Sequence, residues 1–183
     1  MKKTQYFIFV NLLFCYVSVA FWCCKEPPKS DSVKFFSKSA QIKMNIPKTW
    51  VFQSNAVSTD TSTKLHEQYK RTDHSGFIDI EIKSNQTYST LSSEEILKGI
   101  IQSMKTEADL YKDLAILNES NKSERSIIIC RYIWGKKDEL TYALIAVSKG
   151  KKETKTIKVE TWDQSNDDQQ RFILTRIRNS LKM

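Results

Sequence analysis

Few side chains in this sequence have the types and spacing to do chemistry. His66 falls on a strand pattern and His74 in the turn that follows, with Asp73 and Asp79 nearby. Imidazole nitrogens and carboxylate oxygens are the donor set of a zinc site. The alternation of the segment argues otherwise: His66 shares a face with Gln68 and Lys70, and His74 falls in a turn, so both read as surface histidines. Cys130 sits inside the apolar run Ile127-Ile128-Ile129-Cys130, where a thiol acts as a small buried hydrophobe. The paired acids Glu94-Glu95 and Asp167-Asp168 open two helical patterns, where capping and the helix dipole account for them. Trp50, Trp134 and Trp162 stand at strand ends; such residues line a ligand groove or cap a core, and the core is the expectation. There is no Gly-x-Ser-x-Gly elbow and no His-Glu-x-x-His helix, and four glycines leave little for a phosphate-cradling loop. The sequence therefore predicts no catalytic set, no metal site and no cofactor.

The elements that must position these residues follow a distinctive N-terminus. Met1-Lys2-Lys3 precedes an apolar run from Tyr6 to Cys24, which Lys25-Glu26-Pro27-Pro28-Lys29-Ser30-Asp31-Ser32 follows at once. Two lysines and then a short apolar stretch form the leader of a secreted protein. The proline-containing polar segment is a linker with too little apolar content to fold. A cysteine ending the apolar run ahead of such a linker resembles the bacterial lipoprotein pattern, in which that cysteine carries acyl chains; Cys23 and Cys24 are the candidates for lipidation. Two alternatives stay open. Ser18-Val19-Ala20 is a small-x-small cleavage site, and an uncut apolar run is just long enough to span a bilayer as an anchor. Residues 1–24 are thus read as signal peptide or membrane anchor, 25–33 as flexible linker and 34–183 as one globular domain. The expected location is the cell envelope, membrane-anchored and facing the periplasm or exterior. The net charge of +8 includes Lys2 and Lys3, and the remaining basic residues are interleaved with acidic ones. That is a solvated surface rather than a nucleic-acid footprint.

Within the domain, Ile42, Met44 and Ile46 alternate along a strand that Pro47 closes. Residues 53–62 are polar and read as a loop. Leu65, Glu67 and Tyr69 alternate with His66, Gln68 and Lys70, and Phe77 to Lys83 alternates again, so the two runs form a hairpin with one wet face. Its turn, Asp73-His74-Ser75-Gly76, calls on Gly76 for a positive φ. Ser92 and Glu95 form a capping box, and Ile96, Leu97, Ile100, Ile101, Met104 and Ala108 then mark a buried helical face. Runs Arg125–Trp134, Leu140–Ser148 and Thr154–Trp162, joined by short turns, predict an antiparallel meander. A terminal helix follows, with Phe172, Ile173, Ile177 and Leu181 inward and Arg171, Arg176, Arg178 and Lys182 outward.

Ile42-Lys43-Met44-Asn45-Ile46-Pro47-Lys48-Thr49-Trp50, an alternating strand ending Ile-Pro-x-x-Trp, resembles the opening phrase of the PsbP-like superfamily and its DcrB-like bacterial lipoprotein relatives. The order of elements over residues 34–183 matches as well. The resemblance implies an α+β fold, an α/β/α sandwich around a mostly antiparallel sheet of about six strands with two main helices. It also implies a non-enzymatic domain that binds other proteins or helps assemble them. The family pattern brings no catalytic residues, and neither His66 nor His74 aligns with the metal-binding histidines of photosystem-associated members. The expected function is a membrane-anchored envelope protein with an envelope protein as partner; an envelope hydrolase or small-ligand-binding protein is the alternative.

Overall fold

The computed structural model describes residues 32–56, 63–85, 90–122, 124–162 and 167–183, with backbone alone for 54–56. The chain divides into residues 1–31 and 32–183, and every described residue belongs to the second unit. The segment expected to be a signal peptide or anchor, with Cys23 and Cys24, lies outside the described residues. Among those described, no helix is long and apolar enough to cross a membrane.

Nine strands and two helices are described: β1 (Ser32–Ser37), β2 (Ile42–Pro47), β3 (Phe52–Ala56), β4 (Thr63–Arg71), β5 (Gly76–Ser84), α1 (Ser93–Thr106), β6 (Tyr111–Lys122), β7 (Arg125–Trp134), β8 (Glu139–Lys149), β9 (Glu153–Thr161) and α2 (Asp167–Ser180). Seven strands form one sheet in the order β3-β4-β5-β9-β8-β7-β6, and β1 and β2 form a separate ribbon. Neighbouring strands pair antiparallel. The period-2 pattern assigns the faces. Ile78, Ile80, Ile82, Ile127, Ile129, Leu144, Ala146, Ile157 and Val159 point one way, under the β1–β2 ribbon and α2. Ile128, Cys130, Tyr132, Ala143, Ile145 and Val147 point the other way, under α1. Because β7 and β8 are buried on both faces, their centres are apolar throughout. The result is the α+β sandwich expected from the sequence, with more strands than the alternation announces.

The Ile-Pro-x-x-Trp phrase has a structural role. Trp50 is buried, and the Arg71 guanidinium, itself buried, lies 4.7 Å from its ring centroid. Arg71 Nη2 donates to Asp73 Oδ2 at 2.5 Å, tying the phrase to the β4–β5 turn. At the other end the chain terminus closes on β2: Lys43 N–H donates to Lys182 O at 2.9 Å, and Lys182 N–H returns to Lys43 O at 2.8 Å. The capping box forms as predicted, Ser92 N–H donating to Glu95 Oε2 at 2.7 Å and Glu95 N–H to Ser92 Oγ at 3.2 Å.

Several expectations require correction. Residues 53–62 are not a loop throughout, because Phe52–Ala56 pairs with β4 as an edge strand. Tyr111–Lys122 is a strand that alternation misses, since two register shifts break its period. Ala108 is exposed, for α1 ends at Thr106. Phe172 is 47% exposed: the buried stripe of α2 runs Gln170, Leu174, Ile177, with Leu181 buried just past its end, and Phe172 lies off it with the Arg176 guanidinium 5.4 Å from its ring. Gly76 does not take a positive φ; His74 does, at 60°. A Cβ on Gly76 would lie 2.5 Å from Glu160 O, so glycine is needed there for close approach between strands.

Candidate functional site

The two faces of the large sheet are covered unequally. On one face the ribbon and α2 build a continuous core. On the other, α1 packs on β6, β7 and β8. Toward β9, β5 and β4 that face carries Lys158, Glu160, Asp79, Glu81, Gln68 and His66 instead of apolar side chains. Where the helix layer stops, a cavity of about 280 Å³ opens, walled by Phe77, Tyr111, Trp134 and Trp162 and floored by Tyr132, Thr141, Lys158 and Glu160.

Phe77, Glu160, Ala143 and Cys130 form one row across β5, β9, β8 and β7. Ala143 is small and fully buried, which leaves room for a longer side chain to lie across β8. Tyr132 reaches over β8, spanning strands about 10 Å apart, and its hydroxyl donates to Glu160 Oε1. Lys158 lies two residues before Glu160 on the same face, and its ammonium donates to the same oxygen. Glu160 is 4% exposed and Thr141 3% exposed. Lys158 Nζ also lies 5.4 Å from the Tyr111 ring centroid and 5.9 Å from that of Tyr132. An ammonium over a ring face is attracted by its negative quadrupole.

Burial and neighbouring charge shift the titration of three groups here. Burial alone would lower the pKa of Lys158, but the charge and hydrogen bond of Glu160 outweigh it and raise it. Burial, with Glu160 adding to it, pushes the Tyr132 phenol far up, so the hydroxyl remains a donor. Burial pushes the Cys130 thiol up to about 12, which removes it as a nucleophile at neutral pH.

Aromatic pairs set the walls. Tyr111 stands edge-on to Tyr132 at 5.0 Å and to Trp134 at 5.4 Å; Phe77 meets Trp162 at 6.0 Å. Two glycines hold these walls in register. Gly135, next to Trp134, has no room for a Cβ, which would fall 1.8 Å from Asp109 O, and its N–H donates to Leu110 O at 3.0 Å. Gly76, next to Phe77, packs against the backbone of Glu160.

The structure keeps the two histidines apart. His66 Nε2 lies 2.7 Å from Asp79 Oδ1 on the open face, while His74 is exposed in the β4–β5 turn. No cluster of three metal-ligating groups occurs among the described residues. Trp50 caps the core as expected, but Trp134 and Trp162 are half-buried cavity walls, which corrects the reading of all three as core caps. Sequence reasoning missed Lys158, Glu160 and Tyr132. The available signal was a lysine and a glutamate on one face of β9, a strand with neighbours on both sides. A second groove, about 520 Å³, lies between α1 and β6 over Leu97, Ile101, Ile116 and Ile128.

No protein-family profile matches the chain, and a search of curated proteins by sequence finds no match. Comparison with solved structures is informative. The solution structure of cyanobacterial PsbP (CyanoP) from Synechocystis sp. PCC 6803 aligns over 87% of this chain and 96% of its own, at a TM-score of 0.57 and 10% identity. The fold is PsbP-like. A protein from Bacteroides thetaiotaomicron aligns over 83% of this chain and 48% of its own, with 11% identity and a TM-score of 0.41. The PsbP-like likeness concerns the fold; the residues of the cavity stand on their own geometry.

Proposed function

We propose that this chain is a non-enzymatic, membrane-tethered envelope domain that binds an envelope partner through the half-covered face of its PsbP-like sheet. The observation that carries this reading is the cavity beside α1, where an ion pair and a tyrosine hydroxyl are withdrawn from water among aromatic rings. A buried ion pair costs desolvation that apolar residues of similar volume avoid. Its presence at the floor of an open cavity, rather than under α1, fits a surface selected for recognition. The apolar stretch Tyr6–Cys24 and the linker to Ser32 would hold that surface close to the bilayer, with Cys23 or Cys24 as the acylated residue.

A hydrolytic reading gains less support. Glu160 is engaged by Lys158 and Tyr132 together, and the thiol of Cys130 is held protonated. The basic turn from Lys149 to Lys152 is a weaker contact candidate than the cavity, since Asn85 Nδ2 donates to Gly150 O at 2.7 Å and Asn85 N–H to Lys152 O at 3.2 Å. The test is affinity capture from envelope membranes with the full chain and with Trp162→Ala. Partners retained by the native chain and lost with Trp162→Ala support the proposal. Equal recovery by both would place the binding surface elsewhere.

A further inference from the structure

We infer that the cavity takes a neutral pyranose ring, so that the envelope partner recognised here is a carbohydrate or carries one. This rests on the reading of the half-covered face as the binding surface. An aromatic cage with a nearby carboxylate usually signals a cationic ligand. Here the protein's own cation fills that role: Lys158 lies over Tyr111 and Tyr132 and pairs with Glu160. An anionic ligand would need an unmatched positive charge. Lys158 has Glu160, and Lys137 at the rim has Glu139 at 4.0 Å. The lining is therefore balanced in charge, while offering ammonium and hydroxyl donors beside carboxylate and hydroxyl acceptors.

A ligand matched to this lining is uncharged, has hydroxyls to exchange hydrogen bonds with Lys158, Glu160 and Thr141, and has an apolar face for the rings of Trp134 and Trp162. A pyranose meets all three conditions: its C–H bonds, slightly positive, lie against the negative face of an aromatic ring. At about 280 Å³ the cavity sits at the small end of ligand sites, sized for one ring with the rest of a chain outside. The fixed walls favour this use, since Gly76 and Gly135 set Phe77 and Trp134 by close backbone approach and leave little to reorganise on binding.

The test is a tryptophan-fluorescence titration of the full chain, in a detergent without a sugar headgroup. The probes are glucose, galactose, mannose and N-acetylglucosamine, each with its oligomers. Tetramethylammonium and inorganic phosphate serve as cation and anion probes. The expected result is a saturable response to at least one neutral sugar, weakened about tenfold or more by Trp162→Ala and by Glu160→Gln and unchanged by Phe172→Ala. Trp162→Phe, which keeps a ring at the strand end, gives an intermediate loss and guards against a misfolded alanine variant. Response to the monosaccharide alone identifies a free sugar, and a stronger response to oligomers identifies a glycan end. A response to tetramethylammonium or phosphate without any to sugars overturns the ligand class and leaves the face as the binding surface. No response to any probe, with envelope capture still lost in Trp162→Ala, overturns the sugar alone. If capture survives Trp162→Ala as well, both readings fail. A sugar response indifferent to Trp162 and Glu160 overturns the site.

Discussion

Glu160 is the residue on which the site turns. It accepts from the Lys158 ammonium and the Tyr132 hydroxyl, and it is almost wholly buried. Glu160→Gln leaves the Lys158 charge half-withdrawn from water without its partner, and a loss of about 2–4 kcal/mol is expected in urea unfolding. Replacing the whole set, with Lys158→Met, Glu160→Leu and Tyr132→Phe together, should unfold no more easily than the native chain while abolishing capture of the partner. A triple variant that is strongly destabilised would mean that the set is structural. Two carboxyls outside the cavity bear on stability in acid. Burial tends to raise the Glu67 carboxyl, but hydrogen bonds from Ser37, Ser39 and Tyr69 outweigh it and hold it below 4.5. Asp73 is held below 3.8 against a similar burial effect, by Ser75 and then Arg71. The folded state thus binds fewer protons than the unfolded one. The stability these groups contribute is whole above their ordinary values and fades as pH falls through the lowered folded values. Urea midpoints should drop below about pH 4.5, and Glu67→Gln should flatten that drop. These contacts were hidden in the sequence, because partners such as Glu67 and Ser37 come together only through tertiary packing.

Elements were legible where the apolar pattern keeps its period, as in the β4–β5 hairpin beyond the register shift at Thr63 and Leu65, or runs without interruption, as in β7 and β8. The β4–β5 hairpin, the β7–β8–β9 meander and the capping box of α1 were all readable from period and spacing. β6 was not. Its apolar Leu114, Ile116 and Leu117 fall out of alternation, because register shifts lie between Lys112 and Ala115 and between Ile116 and Asn118. A bulge adds a residue and turns the following side chains to the other face. β3 was hidden for a different reason: it is a short edge strand whose sequence, FQSNA, is mostly polar. The helix and turn glycines give an opposed pair of predictions. Gly99 is exposed in the middle of α1 and a Cβ there meets nothing, so Gly99→Ala should stabilise the fold by about 1 kcal/mol. Gly135→Ala forces a Cβ into the Asp109 backbone, should cost about 1–3 kcal/mol, and should shift Tyr111 at the cavity wall. Thermal denaturation of the two variants side by side checks both signs.

At the scale of the whole molecule, the sandwich was readable because two helical patterns surround an alternating meander, and the cavity was not. A hollow arises where a helix layer ends over a sheet, and the end of α1 relative to β9 is fixed by packing rather than by local sequence. The proposed tether lies in the residues before Ser32. Intact-mass measurement on protein taken from its native membranes should show loss of the residues before Cys23 or Cys24 and a gain of acyl chains. A full-length mass would instead make Tyr6–Cys24 a standing anchor. Trp50, Trp134 and Trp162 lie on opposite sides of the sheet, so they report separately on its half-covered face. With indole nitrogens labelled in the full chain, addition of solubilised envelope membranes should broaden or shift the Trp134 and Trp162 resonances while that of Trp50, buried in the opposite core, stays in place. Unmoved Trp134 and Trp162 signals would contradict the assignment of the cavity as the binding site.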